Sequence, residues 1–202
     1  NTRGCIYLLQ NQLEISRRDC EWALREFEEL EEERGVGLAC IALGNNFRLQ
    51  GSFAGNGKEQ YNAATEFYSK SEEFLRRAIG IFSDQIQEPL RLWEAYNELG
   101  CLMREWGIAL QRQTQEPFAT DKFEEAIRTH EQALEVARRY GLLFQEADTC
   151  DDLAYVWSAR GDLVVAQQWL DQVFALVPAT YVLKNEQGFQ DAPASGDAHW
   201  LI

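Results

Sequence analysis

The sequence has little that would interrupt a helix. Its 202 residues include only four prolines, and no run of alternating β-branched residues marks a strand. Leu, Ala, Glu, Gln and Arg are frequent instead, and these residues are good helix formers. Hydrophobic residues make up 46% of the chain, which is enough to form a core. The composition therefore predicts an all-α protein.

Basic residues are also scarce. The chain has 19 Lys and Arg against 33 Asp and Glu, which gives a formal net charge of −14. Because nucleic acids and anionic membrane surfaces attract positive charge, neither is an expected partner. No apolar stretch approaches the ~20 residues that span a bilayer. The acidity favours a basic protein or peptide as partner, although it fits a role in solubility alone as well.

Residues that are common in catalytic and metal sites are few. The chain has two histidines and five cysteines, with no CxxC pair and no signal peptide. Buried thiols in a reducing cytosol explain the cysteines, so a cytoplasmic location is expected. Cys20, Cys40, Cys150 and His130 are all expected to pack in the core. We predict no enzyme activity, no catalytic residue, no cofactor and no metal site.

Two short motifs suggest chemistry that their context excludes. The stretch "AGNGKEQ", from Ala54 to Gln60, lacks both the first Gly and the hydroxyl residue of a phosphate-binding loop. The "RGD" at Arg160–Asp162 is expected to be a turn between two helices, with no role in adhesion.

A short pattern recurs along the chain at helical spacing. A Leu and a small residue are followed three positions later by an aromatic residue or Met, and four positions after that by Gly. The fullest copy is Leu153-Ala154, Trp157 and Gly161. Further copies begin at Leu43 and Leu99, and a shortened one lies near the start of the chain. In the segment after each copy, small and large residues also recur at fixed positions: Ser16, Cys20 and Ala23; Ser71, Leu75 and Ala78; Ala126, His130 and Ala133; Ala166, Leu170 and Val173.

This pattern resembles the tetratricopeptide repeat, whose signature is W-x2-L-G-x2-Y, then A-x3-F, then P. The resemblance implies helix pairs A and B, with the Gly ending helix A and Pro178 ending the last helix B. Such pairs stack because one pair cannot bury its own apolar face. The expected fold is a right-handed α-solenoid of antiparallel helix pairs, with about four repeats in residues 1–178. Residues 179–202 are expected to form a loop and the start of a possible further repeat.

The copies are more widely spaced than the usual 34 residues, since Gly44 and Gly100 are 56 positions apart. Longer B-to-A connections resemble the extended repeats, of about 40 residues, in kinesin light chains and in the regulatory arrays of signalling ATPases. The rest of the excess lies at 52–66 and 108–121, where helix extensions are favoured over a separate lobe. The expected helices are 2–10, 12–33, 36–50, 58–83, 89–114, 121–140, 143–160 and 162–177.

The resemblance implies that partners bind on a concave face lined by the A helices. Helical periodicity selects the side chains that point away from helix B. The candidate partner-binding residues are Asn45, Arg48, Asn97, Cys101, Arg104, Asp148, Asp151 and Tyr155. The family's clamp for a terminal carboxylate is not expected, because Ile41 stands where that clamp needs Lys. Asp148, Asp151 and Asp152 instead predict a peptide or helix with basic residues, although a face that serves only solubility fits them equally.

The expected function is that of a non-catalytic scaffold for protein–protein interaction. The alternative is a regulatory, sensor or oligomerisation segment of a larger signalling ATPase or transcriptional regulator. The chain starts with Asn1 instead of Met, which favours a fragment of a larger protein. Self-association through exposed end repeats is compatible with either function.

Overall fold

A computed structural model describes residues 12–54 and 61–176, and this part of the chain forms seven α-helices and no strand. The all-α prediction is therefore confirmed. The helices are α1 (Leu13–Glu29), α2 (Glu33–Ala54), α3 (Tyr61–Gly80), α4 (Pro89–Arg112), α5 (Glu116–Tyr140), α6 (Leu143–Arg160) and α7 (Leu163–Leu176). A π-helical turn, Ile81–Gln85, continues α3. None of the helices in the described part is both long and apolar enough to cross a bilayer.

Three alternate helices, α2, α4 and α6, lie side by side. Each helix packs against the next one in the chain, and α2 also contacts α4, which in turn contacts α6. The helices that begin the repeat pattern, α2, α4 and α6, therefore form one row. Their partners α3, α5 and α7 pack against this row.

Apolar residues of the repeat pattern form two core clusters. One joins α1, α2, the end of α3 and the start of α4, and it includes Cys20, Cys40 and Phe82. The other joins α3 to α6 and includes Leu99, Leu153 and Cys150. Cys20, Cys40 and Cys150 are each at most 1% exposed, which confirms their predicted place in the core.

The resemblance implies that the Gly of each copy ends its helix, but two glycines of the pattern do not. Gly51 lies inside α2 and Gly107 inside α4. A Cβ at Gly51 would be 2.5 Å from the Tyr68 ring, and one at Gly107 would be 2.8 Å from the Phe123 ring. These glycines therefore allow two helices to approach closely. Gly161 does end α6, in the left-handed conformation with φ of 96°.

Helix ends are where the sequence prediction needs correction. The predicted helix 36–50 extends over Glu33–Ala54, and the predicted helix 121–140 begins at Glu116. Most of the 108–121 insert is thus helical, as favoured, and so is the described part of the 52–66 insert. The predicted helix 12–33 ends earlier, at Glu29, before a turn in which Glu31 has φ of 52°. The predicted helix 2–10 and the segment 179–202 lie outside the described residues.

Candidate functional site

All eight candidate residues lie on the row formed by α2, α4 and α6. We call the surface that they form the A-helix face. It comprises Asn45 and Arg48 of α2; Asn97, Cys101 and Arg104 of α4; and Asp148, Asp151 and Tyr155 of α6.

Arg48 joins α2 to α4. Its Nη2 lies 3.2 Å from Oε2 of Glu98, and its Nη1 donates to Oε1 of Glu105. The same Nη2 donates to Oδ1 of Asn45 at 2.8 Å, which fixes the guanidinium from its own helix. Because the Arg48 side chain is only 13% exposed, its charge interacts mainly with carboxylates of the protein itself.

Asp152 joins α4 to α6 in a similar way. Its Oδ1 accepts a hydrogen bond from Arg104 Nη1 at 2.6 Å, and its Oδ2 accepts one from Asn97 Nδ2 at 3.0 Å. The thiol of Cys101 also points at Oδ1, with a sulfur–oxygen distance of 3.5 Å. The Arg104 guanidinium stacks on the Tyr155 ring, 4.3 Å from its centroid. Three of the predicted residues are therefore bonded to one carboxylate that was not among the eight.

The two ion pairs occupy equivalent positions in the repeat pattern. Arg48 and Arg104 each lie four residues after the small residue of their copy. Glu98 and Asp152 each directly precede the Leu of the next copy. One ion pair is thus repeated between successive helices of the row. Removing one partner of such a partly buried pair leaves a charge that is costly to keep there, by about 3–5 kcal/mol in fully buried cases.

Carboxylates outnumber cations at the start of α6. Asp148, Asp151, Asp152 and Glu98 form what we call the acidic cluster. Burial first, and then the charges of the other three members, raise the pKa of Asp148 to about 7. Among the described residues, no cation and no hydrogen-bond donor contacts the Asp148 carboxylate. The A-helix face therefore holds a half-buried acid without a counter-charge of its own.

A pocket of about 360 Å³ opens further along the same face. Leu49, Phe53 and Ile108 form its apolar wall, and Arg104 and Tyr155 line the side toward α6. Phe53 is 58% exposed and Tyr155 is 53% exposed. Asp148 and Tyr155 are about 10 Å apart along α6, at 1.5 Å per residue. The face thus offers an acidic end and an apolar end within the length of a short peptide.

The eight candidates differ in how accessible they are. Asn97 and Arg104 are 8% and 7% exposed, so they support the face from inside and present little surface of their own. Asn45, Arg48, Cys101 and Asp148 are half-buried, and only Asp151 and Tyr155 are exposed. Sequence reasoning missed Glu98 and Glu105 as partners of Arg48. One feature of the sequence could have indicated such ion pairs, because an acid directly precedes the Leu in two copies of the pattern.

Together these observations define the protein as an all-α chain with a polar face built on alternate helices. The chain matches no protein-family model and no curated protein sequence. Its likeness to tetratricopeptide repeats therefore rests on the residue pattern, and the argument for function rests on the A-helix face.

Proposed function

We propose that the chain is a tetratricopeptide-like, right-handed α-solenoid of about four repeats, and that its A-helix face binds a peptide or helix. Connections of two or three residues, as between α6 and α7, favour antiparallel packing of the helices that they join. The contacts of α2 with α4 and of α4 with α6 are those expected when helix pairs stack. The close approach of Gly44 to Leu75 and of Gly100 to His130 supports the A–B pairing.

The observation that carries the binding proposal is the unpaired carboxylate of Asp148. A half-buried acid loses hydration, and nothing in the described part of the chain compensates that loss. A Lys or Arg side chain of a partner would supply both the counter-charge and the hydrogen bonds. The partner is therefore a basic peptide or helix, with its cation at the acidic cluster and an apolar side chain in the pocket beside Tyr155.

The proposed scaffold is non-catalytic. His130 belongs to α5, and its ring packs against α4 at Gly100. It is 0% exposed, and burial lowers its pKa to about 4. A histidine in that place reaches no substrate. The net charge of −14 opposes binding to nucleic acid and to anionic membranes. We place the protein in the cytoplasm, where its thiols stay reduced.

A peptide selection tests this function. The purified chain is immobilised, and binders are selected from an unbiased random peptide library. We expect the selected sequences to be enriched in Lys and Arg together with an aliphatic or aromatic residue. The double variant Asp148→Lys and Asp151→Lys reverses the charge at the acidic end of the face. We expect it to lose the selected peptides, with at least a tenfold weaker affinity.

The control is the double variant Glu73→Lys and Glu131→Lys. These residues are exposed on α3 and α5, and their replacement changes the net charge by the same amount. It should retain peptide binding apart from the long-range effect of net charge, which salt screens. Equal affinity of both double variants for the selected peptides would mean that the A-helix face is not the binding site.

A second candidate function, as a regulatory or oligomerisation segment of a larger signalling ATPase or transcriptional regulator, is favoured by one other surface. Leu163, Val164 and Phe174 of α7 are 67%, 71% and 72% exposed. Apolar side chains exposed on the last described helix suit contact with another copy or another domain. Light scattering of the wild type and of Val164→Asp over a range of concentrations tests this. A monomer at all concentrations would count against self-association.

A further inference from the structure

Three side chains with metal-binding atoms meet beneath the A-helix face. The Sγ of Cys101, a ring nitrogen of His130 and a carboxylate oxygen of Asp152 all lie within 4.8 Å of one another. They come from α4, α5 and α6, so the fold alone brings them together. Thiolate, imidazole and carboxylate are the three ligand types that proteins use for Zn²⁺.

The hydrogen bonds around His130 fix which of its nitrogens carries the free lone pair. Asn97 donates through Nδ2 to Asp152, so its Oδ1 is the atom that faces His130. An amide oxygen only accepts, and Nδ1 of His130 must therefore be the protonated nitrogen that donates to it, at 3.1 Å. Nε2 is then left with a lone pair. It is buried and has no hydrogen-bond partner in the described part of the chain.

This arrangement matches the usual surroundings of a metal-binding histidine. Such a residue donates its other ring N–H to a carbonyl or carboxylate oxygen, which orients the ring. Asn97 provides that oxygen. The absence of a side chain at Gly100 allows the ring to lie against α4, since a Cβ there would be 2.6 Å from Nε2. The hydrogen bond thus orients the imidazole, and no group in the described part of the chain uses the Nε2 lone pair.

The Cys101 thiol already points at the second ligand. It contacts Oδ1 of Asp152 at 3.5 Å, and a divalent metal would take the place of the thiol proton between the two atoms. In that step a sulfur–metal bond forms, the S–H bond breaks and the proton goes to solvent. The Asp152 side chain is 18% exposed, so an ion can approach the cluster from the A-helix face through this carboxylate.

Arg104 is the cation that opposes such a site, because it also binds Oδ1 of Asp152. A carboxylate has about four lone-pair positions, however, so it can keep this hydrogen bond while it binds a metal. The acidic cluster also has more carboxylates than the guanidinium groups of Arg48 and Arg104 can neutralise. Since Zn²⁺ replaces one proton, it adds one net positive charge where negative charge is in excess.

We propose that Cys101, His130 through Nε2, and Asp152 bind a thiophilic divalent cation such as Zn²⁺, with water as the fourth ligand. A tetrahedral site with bonds of about 2.0–2.3 Å needs ligand atoms roughly 3.3–3.8 Å apart. Sγ of Cys101 and Oδ1 of Asp152 are already 3.5 Å apart, so binding requires mainly that the His130 ring bring Nε2 closer to them, by about 1 Å.

Titration of the reduced, metal-free full chain with Co²⁺ tests the site, because thiolate-bound Co²⁺ gives a charge-transfer absorption band. We expect one equivalent of Co²⁺ to saturate the band, and Zn²⁺ to displace it. Cys101→Ser should abolish the band, and Asp152→Asn should weaken Co²⁺ binding at least tenfold. Cys150→Ala, which removes a thiol elsewhere in the core, should retain the band. Zn²⁺ should raise the unfolding temperature of the wild type but not of Cys101→Ser.

Two results would overturn the proposal. One is that Co²⁺ gives the wild type no thiolate band. The other is that the band survives in Cys101→Ser, which would assign the metal to another thiol. Circular dichroism of each variant confirms that it is folded. If Cys101→Ser does not fold, the Co²⁺ affinity of Asp152→Asn, which keeps every thiol, decides: an unchanged affinity would overturn the proposal.

Discussion

Replacing Asp148 with Asn should make the protein more stable while weakening its binding to a basic partner. Asn has nearly the same shape as Asp and no charge. It therefore removes the repulsion between Asp148 and the rest of the acidic cluster, and it lowers the cost of burial. A substitution that raises stability but weakens binding is expected where a residue is kept for binding at a cost in stability.

The size of the gain follows from the pKa of Asp148, which rises from an ordinary 3.8 to about 7 in the folded protein. Each tenfold change in proton affinity corresponds to about 1.4 kcal/mol, so the ionised group destabilises the fold by at most about 4 kcal/mol. Partial exposure of the side chain reduces this to about 1–2 kcal/mol. Because the folded state binds the proton more tightly, the destabilisation is absent below about pH 4, grows as pH rises, and is complete above pH 7.

Urea unfolding followed by circular dichroism at pH 8 and at pH 5 measures this effect. Asp148→Asn should be about 1–2 kcal/mol more stable than the wild type at pH 8, and the difference should shrink at pH 5. Asp171→Asn, at an exposed position of α7, should change stability by less than about 0.5 kcal/mol at both pH values. The reasoning fails if Asp148→Asn is no more stable than the wild type at pH 8, or if its gain is the same at both pH values.

Two other predictions concern the packing and the repeated ion pair. Gly100→Ala should cost about 1–3 kcal/mol in urea unfolding, because its Cβ would be 2.6 Å from the His130 ring. Gly80→Ala should be neutral or stabilising, because no described residue would lie within 4 Å of its Cβ. A double-mutant cycle with Arg104→Met and Asp152→Asn should give a coupling energy of about 1–3 kcal/mol, and additive effects of the two changes would show that the pair contributes nothing.

Helical periodicity predicted most of the helices because it reports directly which residues are buried. It placed 143–160 at the observed bounds of α6. It failed at the end of α2, because Gly51 appeared to be a helix end. A glycine inside a helix costs only about 1 kcal/mol, and the close packing of Tyr68 and Phe123 offsets that cost. A sequence does not distinguish a glycine that ends a helix from one that lets a neighbouring side chain approach.

The helices that carry the candidate residues were predicted for the same reason, whereas the role of these residues in partner binding stays a prediction. Periodicity identifies which side of a helix a residue occupies, and all eight candidates lie on the predicted row. It does not give the register between two helices, which decides that Arg48 meets Glu98 and that Arg104 meets Asp152. The arginines were therefore expected to contact a partner, whereas they mainly join the helices of the row.

The cluster of Cys101, His130 and Asp152 was out of reach for sequence reasoning. Metal motifs are recognised when ligands are a few residues apart on one element. Here each ligand lies on a different helix, and His130 matched the large apolar position of the repeat pattern. Only the packing of α5 against α4 and α6 brings its ring to the other two side chains.

A cationic partner for the unpaired carboxylate of Asp148 is the central prediction for the A-helix face. The most direct test is to titrate one selected basic peptide into the wild type and into Asp148→Asn at pH 8, at low and at high salt. The peptide should bind Asp148→Asn about tenfold more weakly than the wild type, which is about 1.4 kcal/mol, and the difference should be smaller at high salt. Equal affinity of the peptide for the two proteins at low salt would contradict it.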